Sequence, residues 1–499
     1  MTYPYVANQT PRTIFGQPSG LVTLFLTEMW ERFSFYGMRA ILVLFLVAAP
    51  ADGGLGLAPI TAAALYSVYN AVVYLLALPG GWVADRLTGT RRAVLIGAIV
   101  IALGHCVLAV PAGLTAYAGL GLVAIGTGLL KPNISTMVGE LYDRLPDEQQ
   151  GKRDSGFSIF YLGINLGAWG GALVTGWLGV QYGWHVGFAA AAVGMTFALV
   201  QYLAAGRSLG DVGATPRRPL DQYRRRAVLR QALSAGAVGG LVLALSAVLL
   251  ASATGRGVLD MLLLLIPLIV IAVPAFYFVT MLREHTLTPP EHSRIVAYIP
   301  IFLAATLFWL IYDQAGSLLN LFAADKVDNQ VLGHDFPPSW YQSVNPLLIL
   351  VFAPLFAVLW SRLGDRAPST PVKFAIALLG IGGSFGIMAL AGAAATTGPI
   401  SPLWLLSVYL VQTLAELFLS PVGLSVTTRL APARFASQLM GLWFLATATG
   451  NALGGYVVRL NGQVSDFVYY GLLGGVAAVV GVVFLLSAPR IHTLMAGVR

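Results

Sequence analysis

Residues 21–49 read LVTLFLTEMWERFSFYGMRAILVLFLVAA, an apolar run that also holds Glu28, Glu31, Arg32 and Arg39. At ~1.5 Å per helical residue the run exceeds the ~30 Å thickness of a bilayer's hydrocarbon. Its length and its charges together decide the fold. No positive segment followed by a small-residue cleavage site accompanies it, so it is expected to stay as a first membrane span rather than leave as a signal. The chain around it has the same character. Of 499 residues, 57% are hydrophobic and only 10% charged, a balance no water-soluble domain shows. The single cysteine, Cys106, excludes a disulfide framework.

Working outward, thirteen further spans of about twenty apolar residues follow. They lie near 60–84, 93–112, 114–138, 155–178 and 185–205, then 228–252 and 258–282, then 296–323, 344–364, 371–394, 402–430, 434–457 and 467–489. If spans alternate direction, Lys and Arg should gather on one side. Taking the amino terminus as cytoplasmic, twenty-three of the 29 basic residues fall there, from Arg12, Arg86, Arg91, Arg92 and Arg144 through the seven arginines between Arg207 and Arg230 to Arg499. Arg256, Lys326 and Arg459 alone fall opposite. A miscounted span would exchange the sides of every loop after it, so the expectation is fourteen spans in a cytoplasmic (inner) membrane, with both termini inside. The net charge of +8 therefore reflects topology rather than affinity for nucleic acid.

Polar linkers at 207–230 and 283–294 divide the chain into six spans, two and six. The expected units are an amino-terminal six-helix bundle (1–206), linkers with an accessory hairpin (207–295), and a carboxy-terminal six-helix bundle (296–499). The hairpin carries no acid or base well inside it and is expected to face lipid. A weak echo links the halves: GGWVADRLTGTRR at 80–92 and WSRLGDRAPS at 360–369, pairing Asp85–Arg86 with Asp365–Arg366. In the first string, Gly80 and Gly81 allow close helix approach, Asp85 is placed to cap or pair, and Arg86, Arg91 and Arg92 hold the loop inside.

The chemistry lies in charges the bilayer rejects, at roughly 2.5–3.5 kcal/mol each at a helix centre. At 100° per residue, Glu28, Arg32, Phe35 and Arg39 form one stripe, with Glu31 and Tyr36 beside it. Glu28 and Arg32 are spaced to pair, and a proton on Glu31 would alter the balance; a permanent helix-locking bridge is the alternative. Lys131 sits in the fourth span, where Pro132 weakens the helix and Gly126 and Gly128 allow close approach. Asp313 and Glu416 bring carboxylates from the second half. Pairs formed across the halves in one conformation and broken in the other would gate a central cavity.

Four strings occur in order: E-x-x-E-R-F-x-x-Y-G at 28–37, GTGLLKPN at 126–133, FYLGINLGA at 160–168 and ELFLSPVGLS at 416–425. Together they resemble the proton-dependent oligopeptide transporter family of the major facilitator superfamily, whose bacterial members tend to carry an extra hairpin. The string at 80–92 resembles that superfamily's loop motif, here Gly81, Asp85, Arg86, Arg91 and Arg92. The resemblance implies a major facilitator fold, all helical, importing di- and tripeptides with protons by alternating access. Glu28, Glu31, Arg32 and Lys131 would couple protons. Arg39 and Lys131 would attract the peptide carboxylate, Glu416 the amine, and Asn165 and Asn345 the backbone or amine. Tyr36, Tyr74, Trp309 and Trp443 would line side-chain pockets. Arg39–Asp313 would form an outer gate and Lys131–Glu416 an inner one.

Phe35 stands where the family commonly has tyrosine, Asp313 where it has glutamate, and GELY at 139–142 lacks a common aspartate. Protons and peptides are the expected cargo, lipids the surroundings, a monomer the expected state, and no cofactor or metal is implied. Nitrate or another organic anion on the same scaffold is the nearest rival. A membrane-embedded enzyme finds no nucleophile motif, and six scattered histidines show no ligand spacing.

Overall fold

The computed structural model describes residues 13–14, 16–111, 113–143, 145, 152–331 and 333–498. Of the loop charges above, Arg12, Arg144 and Arg499 lie outside these residues, as does the side chain of Asp365. The first six long helices are α1 (Ser19–Val47), α2 (Pro59–Val83), α3 (Thr90–Leu108), α4 (Gly113–Asp143), α5 (Arg153–Tyr182) and α6 (Trp184–Ala204). A hairpin of α7 (Gln222–Thr254) and α8 (Val258–Leu282) follows. The remainder are α9 (Pro289–Tyr312), the short α10 (Leu318–Lys326), α11 (Val344–Leu363), α12 (Thr370–Ala394), α13 (Leu403–Leu430), α14 (Ala436–Val457) and α15 (Asp466–Leu494). Among the described residues eleven helical segments are long and apolar enough to cross a membrane. The other three long helices are α1, α4 and α14, and α1 carries the internal charges. This is a multi-pass membrane protein of fourteen long helices. Two-residue strand pairs at Thr13–Ile14 with Gln17–Pro18, and at Gln330–Val331 with His334–Asp335, are the small departures from an all-helical chain.

Two boundaries differ from the sequence reading. The expected span at 296–323 is interrupted: α9 stops at Tyr312, a 3-10 turn occupies Asp313–Gly316, and α10 restarts at Leu318. Apolar periodicity carries through the break, so only the turn's own polar contacts reveal it. The linker at 207–230 is partly helix, because Asp221 caps α7 by accepting from the Arg224 N–H (2.8 Å) and draws the arginine run into the first turns. The other part, 206–220, is pinned to the loop motif. The Arg91 guanidinium donates to the carbonyls of Gly206 and Gly210 (both 2.7 Å), and the Arg218 and Leu220 N–H groups donate to the carbonyls of Asp85 and Arg86. Asp85 thus contributes its backbone carbonyl; its carboxylate makes no hydrogen bond or ion pair with a described residue. Glu140 supplies the carboxylate instead, accepting from the Gly213 N–H (2.9 Å) and Arg217 (2.8 Å).

One apolar core draws on residues from Leu21 to Val212. A second draws mainly on residues from Leu263 to Met495, and takes in Ala63, Ala64, Val68 and Ala71 of α2. Helix α2 is therefore shared, packing against α4 in its own half and along α14 in the other. Gly80 makes the first contact possible, since a Cβ there would lie 1.9 Å from the Gly128 carbonyl oxygen. Gly81 has no such role: a Cβ would sit at an ordinary 3.9 Å from Pro132. Helix α1 lies against α5 and α6, with its charged stripe on the side they leave free. In the hairpin, α7 is almost wholly exposed and packs chiefly on α8, which sits against α2 and α14.

Candidate functional site

The connections at 48–58, 327–343 and 395–402 mark what we call the distal end; those at 84–89, 205–221 and 364–369 mark the proximal end. Between them the internal charges form three groups.

The first group is built by consecutive turns of α1. Arg32 Nε donates to Glu28 Oε1 (2.8 Å) and lies equally close, at 2.8 Å, to Glu31 Oε2. One N–H cannot serve both carboxylates well, and neither Glu31 oxygen has a hydrogen-bond partner, although its side chain is completely buried. Lys131 joins this group: its electrostatic neighbours are Arg32, Glu31, Glu28 and Arg39, and its ammonium sits 3.9 Å above the ring of Tyr74. An aromatic face there holds a cation without neutralising it.

The second group ties the halves together near the distal end. Arg39 Nη2 pairs with Asp313 Oδ1 (3.1 Å), and Arg39 Nε donates to the Tyr66 hydroxyl (2.8 Å). Asn451 Nδ2 donates to the other oxygen, Asp313 Oδ2 (2.5 Å). The guanidinium is caged by the rings of Phe35, Tyr36 and Tyr66, with centroids 5.4–5.7 Å away. Phe35 also receives Arg32 at 5.7 Å, so its ring face, rather than a hydroxyl, serves two cations. The 3-10 turn creates this geometry. Gly316 leaves room for Tyr66, whose hydroxyl oxygen would lie 1.7 Å from any Cβ at that position. Further ties join the same end: Asn320 and Gln342 donate to the Ala40 carbonyl, and the Trp340 indole to the Leu173 carbonyl.

The third group surrounds Glu416 on α13. Its Oε2 accepts from the Tyr312 hydroxyl (2.7 Å) and from Asn345 Nδ2 (3.1 Å), which also donates to Thr413 (3.0 Å). No described cation lies within ion-pair distance of it. Lys131 and Glu416 are therefore not joined in this conformation, in which the distal ties are closed. Trp309 stacks edge-on to Tyr312, with centroids 5.2 Å apart. Asn165 donates to the Tyr161 carbonyl of its own helix (3.0 Å). Trp443 is buried against Gly423, as a packing side chain would be.

Sequence reasoning missed Tyr66, Asn451, Tyr312 and Thr413. Asn451, in the string GNALGG of an otherwise apolar span, carried the clearest signal. The tyrosines carried none, because an intramembrane tyrosine is as often packing as polar.

Buried opposite charges carried by two sets of helices, paired as Arg39–Asp313 near the distal end while Lys131 and Glu416 stand apart, are the construction of a secondary transporter. The comparisons with known proteins make this specific. Residues 91–471 match the family model described as PTR2, POT family, and the chain belongs to that family. It is 42% identical over 486 residues to the uncharacterised transporter YclF of Bacillus subtilis, covering 97% of this chain and 96% of that one. It is 40% identical to a di-/tripeptide transporter of Lactococcus lactis subsp. cremoris, with 99% of both chains covered. A crystal structure of a peptide transporter POT in complex with sulfate is 43% identical and superposes with a TM-score of 0.90 over 98% of both chains.

Proposed function

We propose that the chain imports di- and tripeptides together with protons across a bacterial inner membrane, its termini on the cytoplasmic side. The observation that carries the reading is Glu416: a buried carboxylate held by two neutral donors, with no cation among the described residues at ion-pair distance, while Lys131 stands apart with the Tyr74 ring against its ammonium. Such a carboxylate is ready for an ammonium, and Lys131, with Arg39 once released from Asp313, for a carboxylate, so the pair of poles fits a short zwitterion. The name of the Lactococcus relative supports peptides as that zwitterion. Asn345 and Tyr312 orient Glu416 towards the amine. Asn165, with one amide hydrogen engaged, keeps its carbonyl for the peptide backbone. Tyr36, Tyr74 and Trp309 line the space between the poles, and Trp443 supports it from behind. Glu28, Glu31, Arg32 and Lys131 are the proton-handling group, since Glu31 is the carboxylate with the least hydrogen-bond support.

Binding of alanyl-alanine to the purified protein, compared with its N-acetylated form, tests the reading. Wild type should prefer the free amine, and Glu416→Ala should abolish that preference. A preference that survives in the variant refutes the assignment. Nitrate competing as well as dipeptide would favour an anion carrier instead.

A further inference from the structure

Away from the internal charges, a cavity of about 320 Å³ opens at the proximal end between the start of α3 and the end of α6. Arg91, Arg92, Leu95, Tyr202, Leu203 and Gly206 line it. Its two arginines are not equivalent. Arg91 is committed to the carbonyls of Gly206 and Gly210, and the Tyr202 hydroxyl donates to the Arg91 carbonyl (3.1 Å), so this wall is rigid. Arg92 is exposed and has no hydrogen-bond, ion-pair or ring partner among the described residues. A fixed floor with one free guanidinium is a receptor for an anion, and phosphate oxygens match a guanidinium's donors.

The outer surface says which anion. Helices α3 and α6 pack side by side, and apolar side chains run down both from the cavity: Ile96, Ile99 and Leu103 on α3, and Leu203, Val200 and Phe197 on α6, all exposed. A soluble phosphate has no use for that track, whereas an acyl chain does. We propose that this cavity binds the phosphate headgroup of an anionic phospholipid, Arg92 contacting the phosphate and the α3–α6 track taking the acyl chains. Basic pockets between membrane helices near the headgroup layer are where such lipids settle. The proposal is independent of the peptide reading.

The test is lipid retention by the purified full-length protein in detergent, counted by native mass spectrometry with dioleoyl phosphatidylglycerol, dioleoyl phosphatidylcholine and inorganic phosphate as separate probes. Wild type should hold phosphatidylglycerol in preference to phosphatidylcholine. Arg92→Gln should lower its affinity about fivefold, the ~1 kcal/mol contributed by one basic residue at a membrane surface. Arg366→Gln, an equal charge loss at the same end of the other half, should leave it unchanged. Leu203→Gln should weaken lipid binding too. Equal effects of Arg92→Gln and Arg366→Gln overturn the site. Phosphate displacing the lipid, with Leu203→Gln silent, overturns the lipid in favour of a free anion.

Discussion

Replacing Gly316 by alanine should open the distal end. The new Cβ would lie 1.7 Å from the Tyr66 hydroxyl oxygen and 2.4 Å from its ring carbon Cζ, far inside contact distance. Either the ring or the 313–316 turn must move by more than an ångström; the first route breaks the 2.8 Å bond from Arg39 Nε to Tyr66, and the second draws Asp313 away from Arg39 Nη2. A charged donor left buried without its acceptor costs about 1.5–3 kcal/mol. That cost falls on the closed arrangement, so the open-to-closed ratio should rise roughly 10- to 150-fold at ~1.4 kcal/mol per decade. Spin labels at positions 52 and 397, one on each half's distal loops, report the separation by pulsed dipolar spectroscopy once Cys106 is replaced by serine. Wild type should give mainly the short distance and Gly316→Ala mainly a longer one. The route through Tyr66 has its own check: in a Tyr66→Ala background the glycine substitution should add little. An unchanged distance distribution, or the same shift with and without Tyr66, refutes the reasoning.

Glu31→Gln should abolish peptide accumulation driven by a pH gradient in proteoliposomes while retaining counterflow exchange; undiminished accumulation would remove Glu31 from proton coupling. Glu140→Gln should loosen segment 206–220, which that carboxylate anchors through Gly213 and Arg217. The readout is trypsin cleavage at Arg217 and Arg218, expected to quicken several-fold as local opening becomes easier; an unchanged rate would mean that Arg91 and the Asp85 and Arg86 carbonyls hold the segment without Glu140.

The long helices were readable because hydrophobic length and loop charge are independent signals that agreed, and most ends fell within a few residues of their expected places. The α1 stripe was readable for a related reason: helical spacing alone aligns Glu28, Arg32 and Arg39. What escaped was the rest of the distal lock: the Arg39–Asp313 pair was expected from the resemblance, but Tyr66 and Asn451 sit on α2 and α14, and nothing local in their sequences joins them to it. The turn at 313–316 was hidden for the opposite reason, since its flanks are as apolar as any continuous span. Lys131 shows a third limit. A buried lysine calls for compensation, and an acid was the obvious partner to look for, yet its ammonium lies over the ring of Tyr74, a partner no charge pattern marks.

The internal charges of the three groups also set a rule of parity. Glu28, Glu31, Asp313 and Glu416 face Arg32, Arg39 and Lys131, so the fully ionised interior holds one negative charge too many. Moving between conformations in that state exposes an unmatched ion to a low-dielectric wall, at a cost of several kcal/mol. A single proton on any of the four carboxyls restores electroneutrality. A zwitterion adds nothing to the sum and leaves the requirement in place. For the proposed symport, the loaded carrier would then cross as the neutral, singly protonated form, an arithmetic that follows from four acids and three bases before any kinetic scheme is drawn.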